Sequence, residues 1–391
     1  MEKMSSLIYP ALLIIAFFIP LNEGITYVGA LLLLIAFLGG AIKPRRTIFD
    51  IPLIILIVLI GLTIVFSVDF LASLRAFSFL CLCIMLFYYF PMWSEIPEKN
   101  QRHIHLAIDF SCFFVSFIGI LQFYRGPNFL SLYHNRVHQF GARLRVFSTL
   151  FNPDVLGGYL VFVLPVNIAL SLAAEKFWQK VVGATSFLLG AICLYLTFSR
   201  GSWLGFLSGI VVLMLLLREK KLIISLFSFL LIGFLFFPHF ISERLINSIF
   251  LLDSQRVILW GETIKLIYKK PVFGFGLFTF QKVMSEITSL TSFPHAHNIF
   301  LHIIFEMGTV GLFAFLYLFW IIYRRALEYI RQYKNRYDGK IAAGVLSGLS
   351  AFLVSEQFNI NLILNNITIL FFFCLSVLGM LIQYSVKNKG I

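Results

Sequence analysis

Two long apolar runs and the short turn between them decide how this chain folds. Residues 181–217 read VVGATSFLLGAICLYLTFSRGSWLGFLSGIVVLMLLL, and the polar turn inside them is Ser199-Arg200-Gly201-Ser202. A hydrocarbon core about 30 Å thick takes about 20 apolar residues of helix to cross. Because the turn is too short to form a folded loop, the stretch predicts a hairpin of two membrane-spanning helices.

The same pattern recurs along the whole chain. Of the 391 residues, 60% are hydrophobic and only 13% are charged, whereas soluble domains carry roughly a quarter charged residues. The sequence therefore predicts one all-α integral membrane protein, a single polytopic domain over residues 1–391. Its twelve expected spans are about 6–21, 25–42, 48–66, 71–92, 106–123, 155–173, 181–198, 202–217, 222–240, 298–323, 341–358 and 363–385.

The distribution of Lys and Arg predicts the orientation. Short cytoplasmic loops carry an excess of these residues. They fall on one side of the membrane if both termini are cytoplasmic: Lys43 to Arg46, Lys99 and Arg102, Lys176 and Lys180, Arg218 to Lys221, Arg324 to Lys340, Lys387 and Lys389. This bias accounts for the net charge of +13, so we expect the lipid bilayer, and not nucleic acid, as the partner of the basic residues.

Two long connections face outward in this topology and break the bias. They are residues 124–154 and the large loop 241–297 between the ninth and tenth spans. Long loops cross membranes with less regard to charge. Basic residues kept outside nevertheless indicate an anionic partner there: Arg125, Arg136, Arg143 and Arg145 in the first loop, and Arg244, Arg256, Lys265, Lys269, Lys270 and Lys282 in the second.

The turn after the seventh span holds the first candidate for chemistry. Gly201 can relieve the backbone at the bend, and Ser202 suits the N-cap of the next helix. So tight a turn keeps Arg200 near the headgroups, where a planar guanidinium can grip a phosphate with two hydrogen bonds. The alternative is an interfacial anchor that reaches toward water.

A second candidate is Pro294-His295-Ala296-His297-Asn298, directly before the tenth span. Free N–H groups and the helix dipole attract anions at a helix N-terminus and disfavour imidazolium. A neutral histidine there suits removal of a proton from a hydroxyl. The alternative is that these residues only cap the helix. A metal site with His302 is not expected, because no carboxylate motif accompanies the histidines.

The large outer loop supplies a third candidate. Residues from Ser254 to about 270 predict an amphipathic helix on which Arg256 and Trp260, four residues apart, share one face. A cation beside an aromatic ring suits a membrane interface or a sugar-phosphate ligand. Phe273-Gly274-Phe275-Gly276 ends this helix as a turn and is not a nucleotide-binding loop, since no strand precedes it.

Two charged residues fall inside predicted spans, namely Arg75 and Glu306. Charges in lipid are costly, and they are usually paired or functional. Pairing with a cation is the simpler interpretation for Glu306. The five cysteines all lie in apolar segments, which favours packing over a disulfide or metal framework.

Together these motifs resemble the O-antigen ligase and polymerase superfamily of bacterial membrane glycosyltransferases. The resemblance rests on Thr197 to Trp203, on Arg256 and Trp260, and on the pattern that starts at His297-Asn298. Nine residues separate Asn298 from Gly308, and two separate Gly308 from Gly311, as in the family's histidine motif. Phe151 to Tyr159 is similar to the family's stretch before the sixth span, so the resemblance covers the whole chain.

The resemblance implies transfer of a glycan to a sugar hydroxyl from undecaprenyl-pyrophosphate and not from a nucleotide sugar. No Asp-x-Asp pair occurs in the predicted outer loops, so we expect a transfer without metal or cofactor. Arg200 and Arg256 would hold the pyrophosphate leaving group, and His297 would be the base. The remaining residues expected at the substrates are Arg75, Arg143, Arg145, Trp260, Asn298 and Glu306. The enzyme would lie in the bacterial inner membrane, with its active site facing the periplasm.

The identity of the acceptor is left open by these motifs. In a ligase the acceptor is the lipid A-core of lipopolysaccharide, and in a polymerase it is another lipid-linked glycan. The arginines of 124–154 favour the ligase, because phosphorylated lipid A-core is densely anionic. A flippase of lipid-linked glycans is the alternative of a different class. Transporters place their charged sites near the midplane, whereas these residues gather at one face.

Overall fold

A computed structural model describes residues 2–94, 96–126, 129, 139–140, 143–220, 222–236, 254–288 and 293–387. Within these ranges the chain is helical apart from short connections and one pair of two-residue strands. The strands, β1 (Gln139–Phe140) and β2 (Arg143–Leu144), pair antiparallel. The predicted all-α class is confirmed for the described residues.

The main helices follow one another along the chain. In order they are α1 (Ile8–Phe18), α2 (Glu23–Leu38), α3 (Asp50–Val65), α4 (Phe70–Cys83), α5 (Glu98–Arg125), α6 (Pro153–Ala173), α7 (Phe177–Leu196), α8 (Arg200–Leu217), α9 (Leu222–Phe236), α10 (Ser254–Ile267), α11 (Phe280–Ile287), α12 (Ile299–Tyr333), α13 (Tyr337–Ser355) and α14 (Asn365–Lys387). A π-helical segment, Ile84–Tyr89, continues α4 to Trp93.

Many of these helices are long and apolar enough to cross a membrane. In the described part of the chain there are seven, namely α4 with its continuation, α5, α6, α7, α8, α12 and α14. The helices α1, α2, α3 and α9 are apolar but shorter, and α13 is almost wholly buried in the bundle. The multi-pass architecture is therefore confirmed. The count of twelve spans and the cytoplasmic termini stay predictions.

The centre of the bundle is built from α6, α8 and α13, which approach closely because small residues line their contacts. A Cβ added to Gly205 of α8 would lie 2.5 Å from the backbone oxygen of Ala351 on α13. One added to Gly348 of α13 would collide with the backbone oxygen of Phe162 on α6. Helices in membranes associate through such close packing. The contacts fix the position of the α8 N-terminus relative to that of α6.

The turn between α7 and α8 differs from the prediction. The helix already begins at Arg200, and its N-cap is Ser199, so the predicted N-cap at Ser202 is wrong. Phe198 adopts a left-handed backbone (φ 53°), which completes the reversal of the chain before Arg200. Gly201 lies inside the helix, where its missing side chain leaves room for Phe358: an added Cβ would lie 2.7 Å from the Cβ of Phe358.

The longest helix, α12, has a kink near its start. Gly308 has φ 65° there, a conformation open to glycine at little cost. The turn that includes Gly274 and Gly276 fills the gap: Phe275 N donates to Phe305 O at 2.9 Å, and Gly276 N donates to Glu306 O at 2.8 Å. The predicted turn is confirmed, and it supports the first two turns of α12.

Candidate functional site

Four segments meet where α6, α8 and α12 begin. The first is the start of α12, where Asn298 is the N-cap, as predicted for this segment. Its Oδ1 accepts from the N–H groups of Phe300 and Leu301, both at 3.1 Å. Its Nδ2 donates to Gln357 Oε1 at 3.1 Å, which ties the helix start to the segment after α13.

The two histidines of this segment differ in their surroundings. Their rings lie 4.3 Å apart, centroid to centroid, in a T-shaped arrangement. Burial lowers the pKa of His295 to about 3, helped by His297, His302 and Arg256, while Asp154 opposes the shift. The shift favours the neutral form of His295. His297 is half-buried and has a left-handed backbone (φ 51°).

The second segment is α10, whose predicted helix is confirmed as Ser254–Ile267. Trp260 Nε1 donates to the backbone oxygen of Ala296 at 2.8 Å, so α10 packs against the residue between the two histidines. Arg256 is half-buried, and its charge acts on His295. The helix therefore brings Arg256 and Trp260 to the histidine segment.

The third segment is the turn between α7 and α8, which carries Arg200. As the first residue of α8, Arg200 is half-buried. Its guanidinium makes no hydrogen bond or ion pair with any residue that the structure describes. A cation placed this way keeps all five of its N–H donors for a ligand.

The fourth segment is the start of α6, which adds a residue that the sequence analysis did not single out. Asp154 Oδ1 lies 2.9 Å from Nη2 of Arg145. Burial raises the pKa of Asp154, but Arg145, Ser199 and, to a smaller extent, His297 outweigh it, so that the pKa is lowered. Arg145 Nε donates to the backbone oxygen of Thr197 at 2.9 Å. One sequence feature could have indicated Asp154: it is an acidic residue in the first turn of a helix, within the stretch Phe151 to Tyr159 that is similar to the family.

Other predicted site residues lie apart from these four segments. Arg75 is exposed on α4 near Asp69, and Asp69 pairs with Lys282 at 2.9 Å. Glu306 is buried in α12, where it accepts from the N–H of Phe280 at 3.2 Å and lies 3.6 Å from His302 Nε2. Arg136 and the side chain of Arg143 fall outside the described residues.

An apolar cavity of about 130 Å³ begins beside the site. It lies between α3, α4, α12 and α14, and along α12 its lining extends from Ile299, next to Asn298, to Phe319. The polar residues of its lining are His302, Glu306 and Thr368. As for metals, no group of three or more His, Cys, Asp or Glu side chains able to hold one occurs in the described part of the chain.

The fold and the site together define a class: a multi-pass helical membrane protein with arginines and a histidine at one end of its bundle. Residues 185–316, about a third of the chain, match the family model described as O-antigen ligase. The match confirms the predicted resemblance to the O-antigen ligase superfamily, and it includes Arg200, Arg256 and His297. No curated protein matches the chain.

Proposed function

We propose that the protein is a membrane glycosyltransferase that moves a glycan from undecaprenyl-pyrophosphate to a hydroxyl of lipid A-core, the reaction of an O-antigen ligase. The observation that carries the proposal is the convergence at one bundle end of Arg200, Arg256 and His297. All three lie within the segment that matches the family model. The four converging segments supply cations for an anionic leaving group and a histidine for a proton.

The proposed chemistry assigns each residue one task. The acceptor oxygen bonds to the anomeric carbon of the glycan while its proton passes to His297. The bond from that carbon to the pyrophosphate oxygen breaks, and the electron pair leaves with the pyrophosphate. Arg200 and Arg256 would stabilise this developing charge, since fixed cations act on it without reorganisation. Trp260 and Asn298 would hold the histidine segment in place.

The cavity beside α12 supports a donor with a long apolar chain. The helix rises about 1.5 Å per residue, so the lining from Ile299 to Phe319 follows it for about 30 Å. That length is close to the thickness of a hydrocarbon core. The cavity of about 130 Å³ would take only a short apolar segment of a polyprenyl donor, next to the N-terminus of α12.

The proposal includes the location of the enzyme. Twelve spans with both termini in the cytoplasm would bring α6, α8 and α12 to begin at the periplasmic side of a bacterial inner membrane. The described part of the chain has eleven apolar helices and the buried α13, which support this arrangement. Donor, acceptor and site would then meet at the outer leaflet.

Lipid A-core is proposed as the acceptor because of the basic residues of 124–154. Arg125 ends α5, and Arg143 stands in β2. The Arg145 charge is already balanced by Asp154 at 2.9 Å, so we assign Arg145 to the support of the site and the others to attraction of the acceptor. Arginines gathered at one surface concentrate an anionic lipid by long-range attraction.

The test is transfer by the purified protein in lipid nanodiscs, with a lipid-linked oligosaccharide as donor. Two acceptors are offered in separate reactions, lipid A-core and a second lipid-linked oligosaccharide, and products are resolved by mass. We expect a glycan-bearing lipid A-core that His297→Ala does not form. Extension of the second lipid-linked oligosaccharide alone would make the protein a polymerase. Movement of intact donor across the bilayer without any new product would make it a transporter.

A further inference from the structure

The helix α10 has an exposed apolar face on the side turned away from the bundle. This face is defined by residues that are exposed and share one side of the helix: Val257, Ile258, Gly261, Ile264 and Tyr268. The opposite side holds Leu259, Thr263 and Leu266, which are buried. Exposed apolar residues gathered on one surface mark a site for a protein or a lipid partner.

Hydrogen bonds to α12 show how deep α10 and the turn after it lie. Near the middle of α10, Trp260 donates to the backbone oxygen of Ala296, just before α12 begins. Beyond the end of α10, the backbone oxygen of Pro271 accepts from Thr309 N at 2.9 Å. Thr309 is ten residues into α12, or about 15 Å along a helix that rises 1.5 Å per residue. The segment therefore descends beside the first turns of α12.

The other end of α12 indicates where the hydrocarbon core lies. Residues 307–323 carry no charge, and then the guanidinium of Arg324 lies 5.6 Å from the ring centroid of the exposed Trp320. Trp and basic residues mark a membrane–water interface. About 20 residues of helix cross the core, so its other boundary falls near residue 304. Thr309, and the turn bonded to it, thus lie at the edge of the hydrocarbon on the side of the candidate site.

The connection between α3 and α4 lies at the same level. Lys270 Nζ donates to the backbone oxygen of Phe66 at 3.3 Å, and the rings of Phe66 and Phe273 stack with their centroids 4.1 Å apart. The apolar helix α3, which ends just before Phe66, exposes an apolar side along its length: Ile54, Val58, Leu62 and Val65. The segment after α10 is therefore bonded to the end of a helix that is suited to lipid.

The charges beside the apolar face of α10 are mostly basic. Lys265 and Lys269 are exposed next to it, and the only acidic residue of α10, Glu262, pairs with Lys265 at 2.7 Å. Lysine side chains can cover apolar surface with their stems while the ammonium group reaches the headgroups. Amphipathic helices with such a basic border bind the interface of membranes that contain anionic lipids.

We propose that α10 is an interfacial helix, whose apolar face contacts the phospholipids of the leaflet beside the candidate site, with Lys265 and Lys269 at anionic headgroups. The depth of the segment along α12 favours a lipid surface over a second copy of the chain. Lipid would hold α10 from one side, while the bond from Trp260 to Ala296 holds it from the other. The inference requires no glycan transfer, so its test is independent of the proposed function.

The experiment measures the depth of single bimane-labelled cysteines in nanodiscs of phosphatidylcholine and phosphatidylglycerol. Ile264→Cys and Tyr268→Cys report on the apolar face of α10, Ile54→Cys on α3 is the lipid control, and Ser285→Cys on α11 is the aqueous control. All four positions are exposed, so the label should not disturb the fold. A doxyl group on the lipid chain should quench the two α10 labels and the Ile54→Cys label, whereas iodide in the water should quench mainly the Ser285→Cys label.

The contribution of the headgroups is tested by changing the lipid charge. Removing phosphatidylglycerol should weaken the lipid quenching of the Tyr268→Cys label, because anionic headgroups attract nearby lysines. Adding Lys269→Gln to Tyr268→Cys should abolish this dependence on lipid charge. The matched control is Lys180→Gln, which removes an exposed lysine near the start of α7, at the other end of the bundle, and should keep the dependence.

Three results would overturn the proposal. If iodide quenches the Ile264→Cys and Tyr268→Cys labels and the doxyl lipid does not, the apolar face of α10 lies in water. If both quenchers are excluded and Tyr268→Cys forms disulfides between two copies, the face is a contact between protomers. If lipid quenching is the same with and without phosphatidylglycerol, the assignment of the lysines to anionic headgroups is wrong.

Discussion

At the scale of single residues, His297 has a backbone that costs free energy. A non-glycine residue in the left-handed region is strained by about 1 kcal/mol or more, and such strain gathers at functional sites. Two hydrogen bonds beside His297 hold this conformation. Asn298 Nδ2 donates to Gln357 Oε1 at 3.1 Å, and Trp260 Nε1 donates to the backbone oxygen of Ala296 at 2.8 Å. Their combined effect is to hold the two half-buried histidines beside each other at the start of α12.

The first prediction compares these two histidines. His297→Ala should lower kcat by about 100- to 10,000-fold, the usual contribution of a general base, while the dissociation constant of the lipid-linked donor changes little. His295→Ala should have a far smaller effect, because the pKa of His295 near 3 leaves no proton chemistry for it at working pH. Steady-state transfer and donor binding measure both. Equal losses at the two positions would indicate a shared structural role instead.

The second prediction concerns the arginines. Arg200→Lys should slow transfer on the order of 100-fold, since a point ammonium cannot make the paired hydrogen bonds that guanidinium gives a phosphate. Arg256→Lys should slow transfer for the same reason. The control is Arg324→Lys, an exposed arginine of α12 that bonds Glu328 at 3.1 Å. A near-normal rate for Arg200→Lys would show that only positive charge is needed there.

At the scale of elements, the kink of α12 and the turn before α11 form one unit. Gly308 lies against the backbone of Val272, and an added Cβ would collide with its oxygen. Thr309 N donates to the backbone oxygen of Pro271 at 2.9 Å. The helix thus gives up part of its own hydrogen bonding at the kink, and the turn replaces it.

The third prediction tests this unit with two glycines. Gly308→Ala should destabilise the protein by about 2 kcal/mol. Alanine is strained in the left-handed backbone conformation, and its Cβ would collide with the backbone oxygen of Val272. Gly261→Ala, in α10, has nothing within 4 Å of the added Cβ and should be neutral or stabilising by about 0.5–1 kcal/mol. Thermal unfolding in detergent measures both. If the two variants were equally stable, the kink would accept an alanine side chain without strain, and the prediction would be wrong.

The sequence predicted those features that depend on local chemistry. The apolar runs gave the positions of most helices, and Asn298 was predicted near the start of α12 because its residue type suits a cap. The N-cap of α8 was misplaced by three residues, since the left-handed Phe198 follows from packing around the turn. The ion pair of Asp154 with Arg145 was not apparent either, because Arg145 reaches both Asp154 and the backbone of Thr197 only when the starts of α6 and α8 lie side by side.

At the scale of the whole molecule, the site depends on the most buried helices of the bundle. The helices α6 and α13 are enclosed by their neighbours, and α6 carries Asp154 at its start. The segment after α13 supplies Asn359 and Gln357 to the turn and to the cap of α12. A site supported by rigid, central helices keeps its geometry while lipids exchange around the outer helices, as transfer between two lipid substrates requires.

The last prediction is the orientation of this bundle, from the excess of Lys and Arg in short cytoplasmic loops. Ser285→Cys in α11 and Gly24→Cys at the start of α2 should react with an impermeant maleimide on cells whose outer membrane has been permeabilised. Lys220→Cys and Asn335→Cys, exposed at the other end of the bundle, should react only after the inner membrane is opened. The native cysteines give a low background, because four of the five are buried and Cys81 is only partly exposed. Labelling of Lys220→Cys in sealed cells would reverse the topology, and it would place His297 and both arginines in the cytoplasm, away from any periplasmic acceptor.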